Sequence, residues 1–159
     1  MLKKENFIKA RKQLLIAVVC LALILPGAFF IAKNWIGVSI REREEQAVLK
    51  AAREFLDAEV RRDYPAVYAC FASSSPYARL HDYEVYLAQA KASADNVSDY
   101  RIVAVSYIQK NEDQKKYPLV EKVAQVEVEV RFQNNKTKSS SDVNIGFIFL
   151  KEQGRWYKS

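Results

Sequence analysis

The feature that most constrains the fold of this chain is a run of nineteen residues without a charged side chain, from Leu14 to Ala32. As a helix, this run is about 28 Å long, which matches the hydrocarbon core of a bilayer. Trp35 follows the run and suits the membrane interface, where tryptophan is enriched. We therefore predict a transmembrane helix over residues 14–36, whose anchoring side chains include Leu14, Leu23, Phe30 and Trp35.

Positive charge is concentrated before this apolar segment. The formal net charge is +6, and five basic residues against one acid place +4 of it before residue 14. By the positive-inside rule, residues 1–13 are predicted to be a cytoplasmic tail and residues 37–159 an extracytoplasmic domain. Charges in that domain are mixed, without the basic stripe that neutralises phosphates, so nucleic-acid binding is not expected.

A cleaved signal peptide is the alternative to a retained anchor, because it also begins with basic residues followed by apolar ones. The apolar core of a signal peptide usually has about 7 to 15 residues, and this one is longer. A small-x-small cleavage site is also lacking, since the candidates after Pro26-Gly27 run into Phe29, Phe30 and Lys33. The sequence therefore predicts a signal anchor and a single-pass protein of the plasma membrane. In a Gram-negative cell, this would be the inner membrane.

The first part of residues 37–159 shows the apolar spacing of helices. A long first helix is predicted from apolar residues that share one helix face, at Val48, Ala51, Ala52, Phe55 and Leu56. Asp63 precedes Tyr64-Pro65 and predicts the start of a short second helix, because Asp caps free amide groups and Pro suits a first turn. Ser73 to Pro76 is predicted to break the pattern, and Asp82 to cap a third helix. The apolar face of the third helix comprises Tyr83, Tyr86, Leu87, Ala90 and Ala94.

The second part changes to the period of two that is typical of strands. Val126, Val128, Val130 and Phe132 alternate with charged residues, which predicts a strand with one solvent-exposed face. Further strands are predicted over 100–109 and 143–149, with a polar loop over 95–99. A turn at Gln153-Gly154 then leads to a final short strand, Arg155 to Lys158. Helices followed by strands indicate the α+β class, with three helices and an antiparallel sheet of about four strands.

This order of elements resembles the nuclear transport factor 2-like superfamily, whose cone-shaped fold is shared with ketosteroid isomerase. The likeness covers roughly residues 40 to 159, and it is carried by Phe55-Leu56-Asp57-Ala58, Arg62 to Tyr68, the run of strands and Gly154 to Tyr157. The resemblance implies a strongly curved sheet wrapped around the helices, with a concave pocket between them. With the anchor, it implies a membrane-anchored extracytoplasmic member.

Aromatic residues are the candidates for lining such a pocket. They are Tyr64, Tyr68, Phe71, Tyr83, Tyr86, Phe147 and Trp156. The same residues also suit the core of a small domain, because helix and strand periodicity already places most of them inside. From the sequence we favour the core interpretation.

Residue types that carry chemistry are scarce. The single histidine, His81, lies in a polar turn beside Asp82 and is interpreted as a capping or surface residue. Zinc sites usually have three or four N, S or O protein ligands, which one histidine and one soluble cysteine do not provide. Asp57 and Glu59 are assigned to the solvated face of the first helix. We therefore predict no catalytic residue, metal site or cofactor, and expect a domain that is not an enzyme.

Three functions fit these predictions. The first is a protein-interaction or scaffold module of the cell envelope, a subunit of a larger membrane complex whose partners are the bilayer and another protein or a second copy. A related alternative resembles the cone-fold inner-membrane subunit of type IV secretion systems. The third is a binder of a small apolar ligand or an isomerase-like enzyme. A closed aromatic pocket with a convergent acid favours the third function, and a filled pocket favours the first.

We expect the anchor to be retained in the mature protein, because the apolar segment is long and lacks a cleavage site. N-terminal sequencing of the protein purified from membranes measures this directly. The sequence should begin within the basic tail, and a mature start anywhere after Ala28 would contradict the prediction.

Overall fold

The computed structural model describes residues 40–159. The predicted tail and transmembrane helix, residues 1–36, lie outside the described residues, as do residues 37–39. Within 40–159, no helix has the length and apolar character that crossing a membrane requires.

Four helices occupy the first half of the described residues. Helix α1 covers residues 40–61, and it is followed by α2 (Tyr64–Ala69), α3 (Pro76–Leu80) and α4 (Tyr83–Ala92). The three short helices begin at a polar residue whose side-chain oxygen accepts a hydrogen bond from a backbone N–H of the first turn, namely Asp63, Ser75 and Asp82. The predicted caps at Asp63 and Asp82 are therefore confirmed.

Helix α3 corrects the prediction of three helices. The segment Ser73 to Pro76 was predicted only to break the helical pattern, but Ser75 caps the N–H of Ala78 at 3.0 Å and Pro76 occupies the first turn. Proline is accepted there because the first turn of a helix has no intrahelical partner for its N–H groups. The Ser-Pro pair that ends one regular segment thus begins another.

The sheet has four antiparallel strands in the order β1-β2-β3-β4, which comprise the rest of the described chain. They are β1 (Asp95–Lys110), β2 (Val120–Asn134), β3 (Ser140–Glu152) and β4 (Arg155–Lys158). Strand β1 shifts register against β2 at three places, between Val97 and Asp99, Ile102 and Ala104, and Val105 and Tyr107. Such bulges bend a strand and increase its twist, which accounts for the curvature of the sheet.

The prediction of a polar loop over residues 95–99 was wrong. Asp95 and Asn96 pair with Asn134 and Gln133 of β2, so the loop residues form the first part of strand β1. Polar residues are tolerated in a strand at the end of a sheet, because one face of the sheet is not covered there. The backbone groups of these residues still form the hydrogen bonds between strands. The early start of β1 brings residues 95–97 alongside the end of α4.

Strand β2 supplies the centre of the core. Val126, Val128 and Val130 are 0–1% exposed, whereas Glu129 forms an ion pair with Arg101 at 2.6 Å on the other face of the sheet. The predicted alternation is confirmed. The apolar face of α1 is also confirmed, because Val48, Ala52, Phe55 and Leu56 are all buried in the same core cluster, with Ala51 packed against it.

Helix α1 is attached to the sheet by Glu44 near its start. The Glu44 carboxylate accepts hydrogen bonds from Lys122 Nζ at 2.9 Å and Lys151 Nζ at 2.7 Å, and from the indole Nε1 of Trp156 at 3.2 Å. These three partners belong to β2, β3 and β4. The contacts therefore fix the position of α1 across three strands.

We expect Val128 and Glu129 to respond very differently to substitution, because adjacent strand residues lie on opposite faces. Val128→Asp should lower the free energy of unfolding by more than about 3 kcal/mol, because it buries a carboxylate. Glu129→Gln should change it by less than about 1 kcal/mol, because its ion pair is solvent-exposed. Denaturant unfolding monitored by circular dichroism measures both changes.

If Val128→Asp does not fold, the nearly isosteric Val128→Thr provides the measurement, with an expected loss of about 1 to 3 kcal/mol from an unsatisfied buried hydroxyl. Equal effects at positions 128 and 129 would show that the assignment of faces is wrong.

Candidate functional site

A cavity of about 300 Å³ lies between the helices and the sheet. All four helices and strands β1 to β3 contribute to its wall. The lining residues are mainly apolar and aromatic, and they include Phe55, Leu56, Tyr64, Tyr77, Tyr86, Ala90, Val97, Phe132, Ile145 and Phe147. A cavity of this size and lining lies at the small end of the range of ligand pockets in proteins.

The seven aromatic candidates named from the sequence divide between this cavity and the core. Tyr64, Tyr86 and Phe147 line the cavity. The others pack elsewhere: Tyr68 lies edge-on to Tyr83 and Phe71, with ring centroids 5.4 and 6.4 Å apart. Trp156 is 4% exposed and donates its indole N–H to Glu44.

Five large apolar or aromatic side chains of the wall were not named as candidates from the sequence. They are Phe55, Leu56, Tyr77, Phe132 and Ile145. Phe55 was assigned to the buried face of the first helix, and Phe132 and Ile145 to strands, so the periodicity had placed them inside. Which inward residues meet at one cavity depends on the pairing of β2 with β3, which the sequence does not reveal.

Glu59 is an acidic residue of the cavity wall whose carboxyl group has no partner in the described part of the protein. Its carboxyl group lies in the wall and has no hydrogen-bond or ion-pair partner within residues 40–159. Burial raises the pKa of Glu59 above its ordinary value, because the apolar surroundings solvate the carboxylate less well than water does.

The assignment of Glu59 to the solvated face of the first helix was wrong. Glu59 follows Phe55 by four residues and Ala52 by seven, so it continues the buried stripe by one more turn. This spacing was the signal in the sequence that could have identified it. Asp57 is exposed, as predicted, and accepts a hydrogen bond from the Tyr100 hydroxyl at 2.6 Å.

Two tyrosine hydroxyls are close enough to Glu59 to respond to its charge. The pKa of Tyr86 is raised by burial and, to a smaller extent, by the carboxylate of Glu59. The pKa of Tyr77 is raised by the same two causes in the same order. The Tyr77 hydroxyl donates to Gln89 Oε1 at 3.1 Å, whereas the Tyr86 hydroxyl has no hydrogen-bond partner in the described part of the chain. The side-chain N–H group of Asn96 is also buried without a partner there.

The other charged residues of the cavity wall are already paired. Arg62 Nη2 donates to Asn135 Oδ1 at 3.3 Å, and Asp95 Oδ1 accepts from Asn134 Nδ2 at 2.8 Å. The first bond connects the cavity wall to the turn between β2 and β3, and the second connects it to the last residue of β2. Of the charged groups that line the cavity, the carboxyl of Glu59 is therefore the one without a hydrogen-bond or ion-pair partner in residues 40–159.

His81 lies outside the cavity wall. It ends helix α3 as its C-cap, its ring Nδ1 donates to the Tyr77 carbonyl at 3.0 Å, and its ring stacks on Tyr77 with centroids 4.4 Å apart. His81 therefore caps the end of α3, whereas the sequence placed it beside the start of the following helix. Among the described residues, no group of three or more His, Cys, Asp or Glu side chains is arranged to hold a metal ion.

A second cavity of about 340 Å³ lies beside the loop that joins β1 and β2. Its wall includes Asn111, whose side-chain N–H groups donate to the carbonyls of Tyr117 and Val120 at 2.9 and 3.0 Å. The Asn111 Oδ1 accepts from the N–H of Asp113. Its amide is thus occupied in holding the loop, and we regard the cavity beside Glu59 as the candidate site.

Substitution of Glu59 by Gln should stabilise the domain at neutral pH. A carboxyl whose pKa is raised by folding binds its proton more tightly in the folded state, so stability falls as pH rises from the ordinary glutamate pKa through the raised one. Glu59→Gln should therefore add about 0.5 to 2 kcal/mol to the free energy of unfolding at neutral pH and little at acidic pH. Denaturant unfolding at both pH values, with the exposed Glu54→Gln as control, measures this. A loss of stability in Glu59→Gln at neutral pH would contradict it.

No protein-family model matches this chain. No curated protein sequence matches it either. Among solved structures, the chain is similar to the ketosteroid isomerase-like protein from Erwinia carotovora atroseptica SCRI1043, with 19% sequence identity and a TM-score of 0.49. The match covers 72% of this chain and 90% of that protein.

Proposed function

We propose that residues 40–159 form a domain that binds one small, mainly apolar molecule in the cavity beside Glu59, with a polar group of that molecule facing the carboxyl. The observation that carries this proposal is the occurrence of an unpartnered carboxyl in an open, largely aromatic cavity. The cavity is open, whereas a closed pocket was named from the sequence as the sign of ligand binding. It is not filled, however, and its apolar lining with a convergent acid supports ligand binding over a purely structural core.

The energetic cost of an unpartnered carboxyl in the ligand-free cavity supports the same proposal. An ionisable group in apolar surroundings destabilises a fold unless a partner compensates for its lost hydration. A domain whose cavity served only for packing would be more stable with an apolar residue at position 59 and with the space filled. Perturbed carboxyls in clefts are concentrated at binding and catalytic sites, and Glu59 fits that pattern.

We also propose that the domain has the cone-shaped fold of the nuclear transport factor 2-like superfamily. Its support is the order of elements within residues 40–159, where a long helix and three short ones precede a four-stranded antiparallel meander. The bulged strand β1 and the cavity between helices and sheet correspond to the curved sheet and concave pocket of that fold.

We propose first that the domain binds its ligand without catalysing a reaction, in line with the prediction that the domain is not an enzyme. An isomerase-like enzyme is the second candidate. It is favoured by Tyr86 and Glu59, which line the same cavity and carry a hydroxyl and a carboxyl without partners in the described residues. Conversion of a bound ligand, detected by NMR in the same samples as binding, would favour this second candidate.

The proposals about location rest on the sequence. They are a retained anchor over residues 14–36, an extracytoplasmic domain at the plasma membrane, and a protein partner or second copy in a larger complex. A tether to the bilayer would raise the effective concentration of the domain toward other membrane proteins. A scaffold role, including one similar to that of the type IV secretion subunits, is compatible with ligand binding, because partner contacts need not involve the cavity.

Filling the cavity should abolish ligand binding without unfolding the domain. Ala90 lines the cavity from helix α4, and Ala90→Phe places an aromatic ring within it. Ala88 lies on the same helix but is exposed, so Ala88→Phe is a matched control. We expect saturation-transfer NMR with a library of small aromatic molecules to detect binders of the wild type and of Ala88→Phe, and a loss of at least about tenfold in affinity for Ala90→Phe.

Circular dichroism of each variant confirms that it is folded, and Ile145→Phe fills the same cavity from β3 if Ala90→Phe does not fold. Binders that bind equally well to the wild type and to a folded, cavity-filled variant would show that the cavity is not the site.

A further inference from the structure

We infer that the ligand carries a cationic nitrogen, such as an ammonium group, which pairs with the carboxylate of Glu59 while its apolar body occupies the aromatic part of the cavity. This inference deepens the proposed function and rests on it. It specifies the chemical class of the ligand, which an apolar cavity alone does not determine.

The charges of the cavity wall are the first argument. The wall has two acids and one base, and the base, Arg62, directs its guanidinium to Asn135. Arg62 keeps its charge but forms no ion pair with Glu59, which has no Lys or Arg partner within the described residues. An incoming cation would provide that missing partner.

The partly buried amine of Lys158 does not line the cavity. Its Nζ is 5.7 Å from the ring centroid of Phe147 and 6.0 Å from that of Phe71, and it donates to the carbonyl of Ser159. Burial lowers the pKa of Lys158 to about 8. Lys158 is thus a separate feature of the core and does not neutralise Glu59 from within.

The oxygen atoms around Glu59 are the second argument. An ammonium group has up to three N–H donors, and the cavity presents acceptors for more than one of them. Besides the Glu59 carboxylate, the cavity wall includes Tyr86 and Tyr77, whose hydroxyl oxygens are further acceptors. The aromatic wall adds rings whose electron-rich faces attract cations when they are accessible.

A neutral ligand with an oxygen acceptor is the competing class, and it requires the opposite protonation state of Glu59. Such a ligand needs the protonated carboxyl as a donor, whereas an ammonium ligand needs the ionised carboxylate. The titratable or charged groups that face Glu59 are Arg62 at the end of α1, Tyr64 and Cys70 at α2, Tyr77 of α3, Tyr86 of α4 and Asp95 of β1. Among them, Glu59 has the carboxyl without a partner, so the pH dependence of binding distinguishes the two classes.

Three probes with similar phenyl groups but different charge test the inference: phenethylammonium, 2-phenylethanol and 3-phenylpropionate. Their binding to the 159-residue chain in a mild non-ionic detergent is measured by isothermal titration calorimetry. The variants are Glu59→Gln and, as the matched control, Glu54→Gln. Glu54 lies on the same helix, is 46% exposed and pairs with Lys50, so it does not face the cavity. Partition of the probes into detergent is the same for all three proteins.

We expect the wild type and Glu54→Gln to bind phenethylammonium about tenfold or more tightly than 2-phenylethanol, because one hydrogen bond to a charged group usually contributes at least that factor in affinity. Both proteins should bind 3-phenylpropionate least. Glu59→Gln should lose this preference. In the wild type, the affinity for phenethylammonium should fall as pH is lowered through the pKa of Glu59, because protonation removes the charge.

If 2-phenylethanol binds as tightly as phenethylammonium, or if the preference survives in Glu59→Gln, the inference is wrong while the proposed function stands. Failure of phenethylammonium to bind at all also overturns the inference. The proposed function itself is contradicted separately, by ligands that bind the cavity-filled variants as well as the wild type.

Discussion

The carboxylate of Glu44 holds helix α1 on the sheet, and the cavity exists because α1 is held there. Glu44 and Lys151 each have side chains only 15% exposed, so their contact is largely shielded from water. Burial tends to raise the pKa of Glu44, but the hydrogen bonds and positive charges of Lys151 and Lys122 outweigh it, and the pKa is lowered. The far end of α1 is tied by the bond from Arg62 to Asn135. Between these two attachments, α1 presents the apolar side chains that form the core and one wall of the cavity.

Two carboxyls on one helix therefore have opposite environments. Glu44 has two lysines and an indole N–H as partners and is stabilised in its charged form. Glu59, roughly four turns later, has apolar surroundings and no partner in residues 40–159, so its charged form is disfavoured. The first carboxyl contributes to the stability of the fold, and the second detracts from it. The proposed role of Glu59 in ligand binding rests on this contrast.

The parts of this fold that depend on local periodicity could be predicted from the sequence, and the parts that depend on distant pairing could not. The alternation at Val126, Val128 and Val130 and the caps at Asp63 and Asp82 follow from neighbouring residues alone. The first residues of β1 look like a loop, because their strand conformation depends on pairing with Asn134 and Gln133. The candidate site could be predicted only in part. The spacing of Glu59 after Ala52 and Phe55 was visible, but its charge directed the assignment to the solvated face.

The misassigned start of β1 is also the region that shapes the cavity mouth. The N–H of Asn135 donates to the carbonyl of Ala94 at 2.8 Å, which fixes the β2–β3 turn against the junction of α4 and β1. This junction places Asp95 and Asn96 in the cavity wall, and the turn receives Arg62. Arg62, Asp95 and Asn96 thus reach the wall from segments that meet only when the sheet forms, whereas Glu59 and the apolar interior come from the periodic faces of α1, α4 and the strands. Because Arg62, Asp95 and Asn96 lie at junctions and not in the core, substitutions of these residues should leave the packing around Val128 and Leu56 intact.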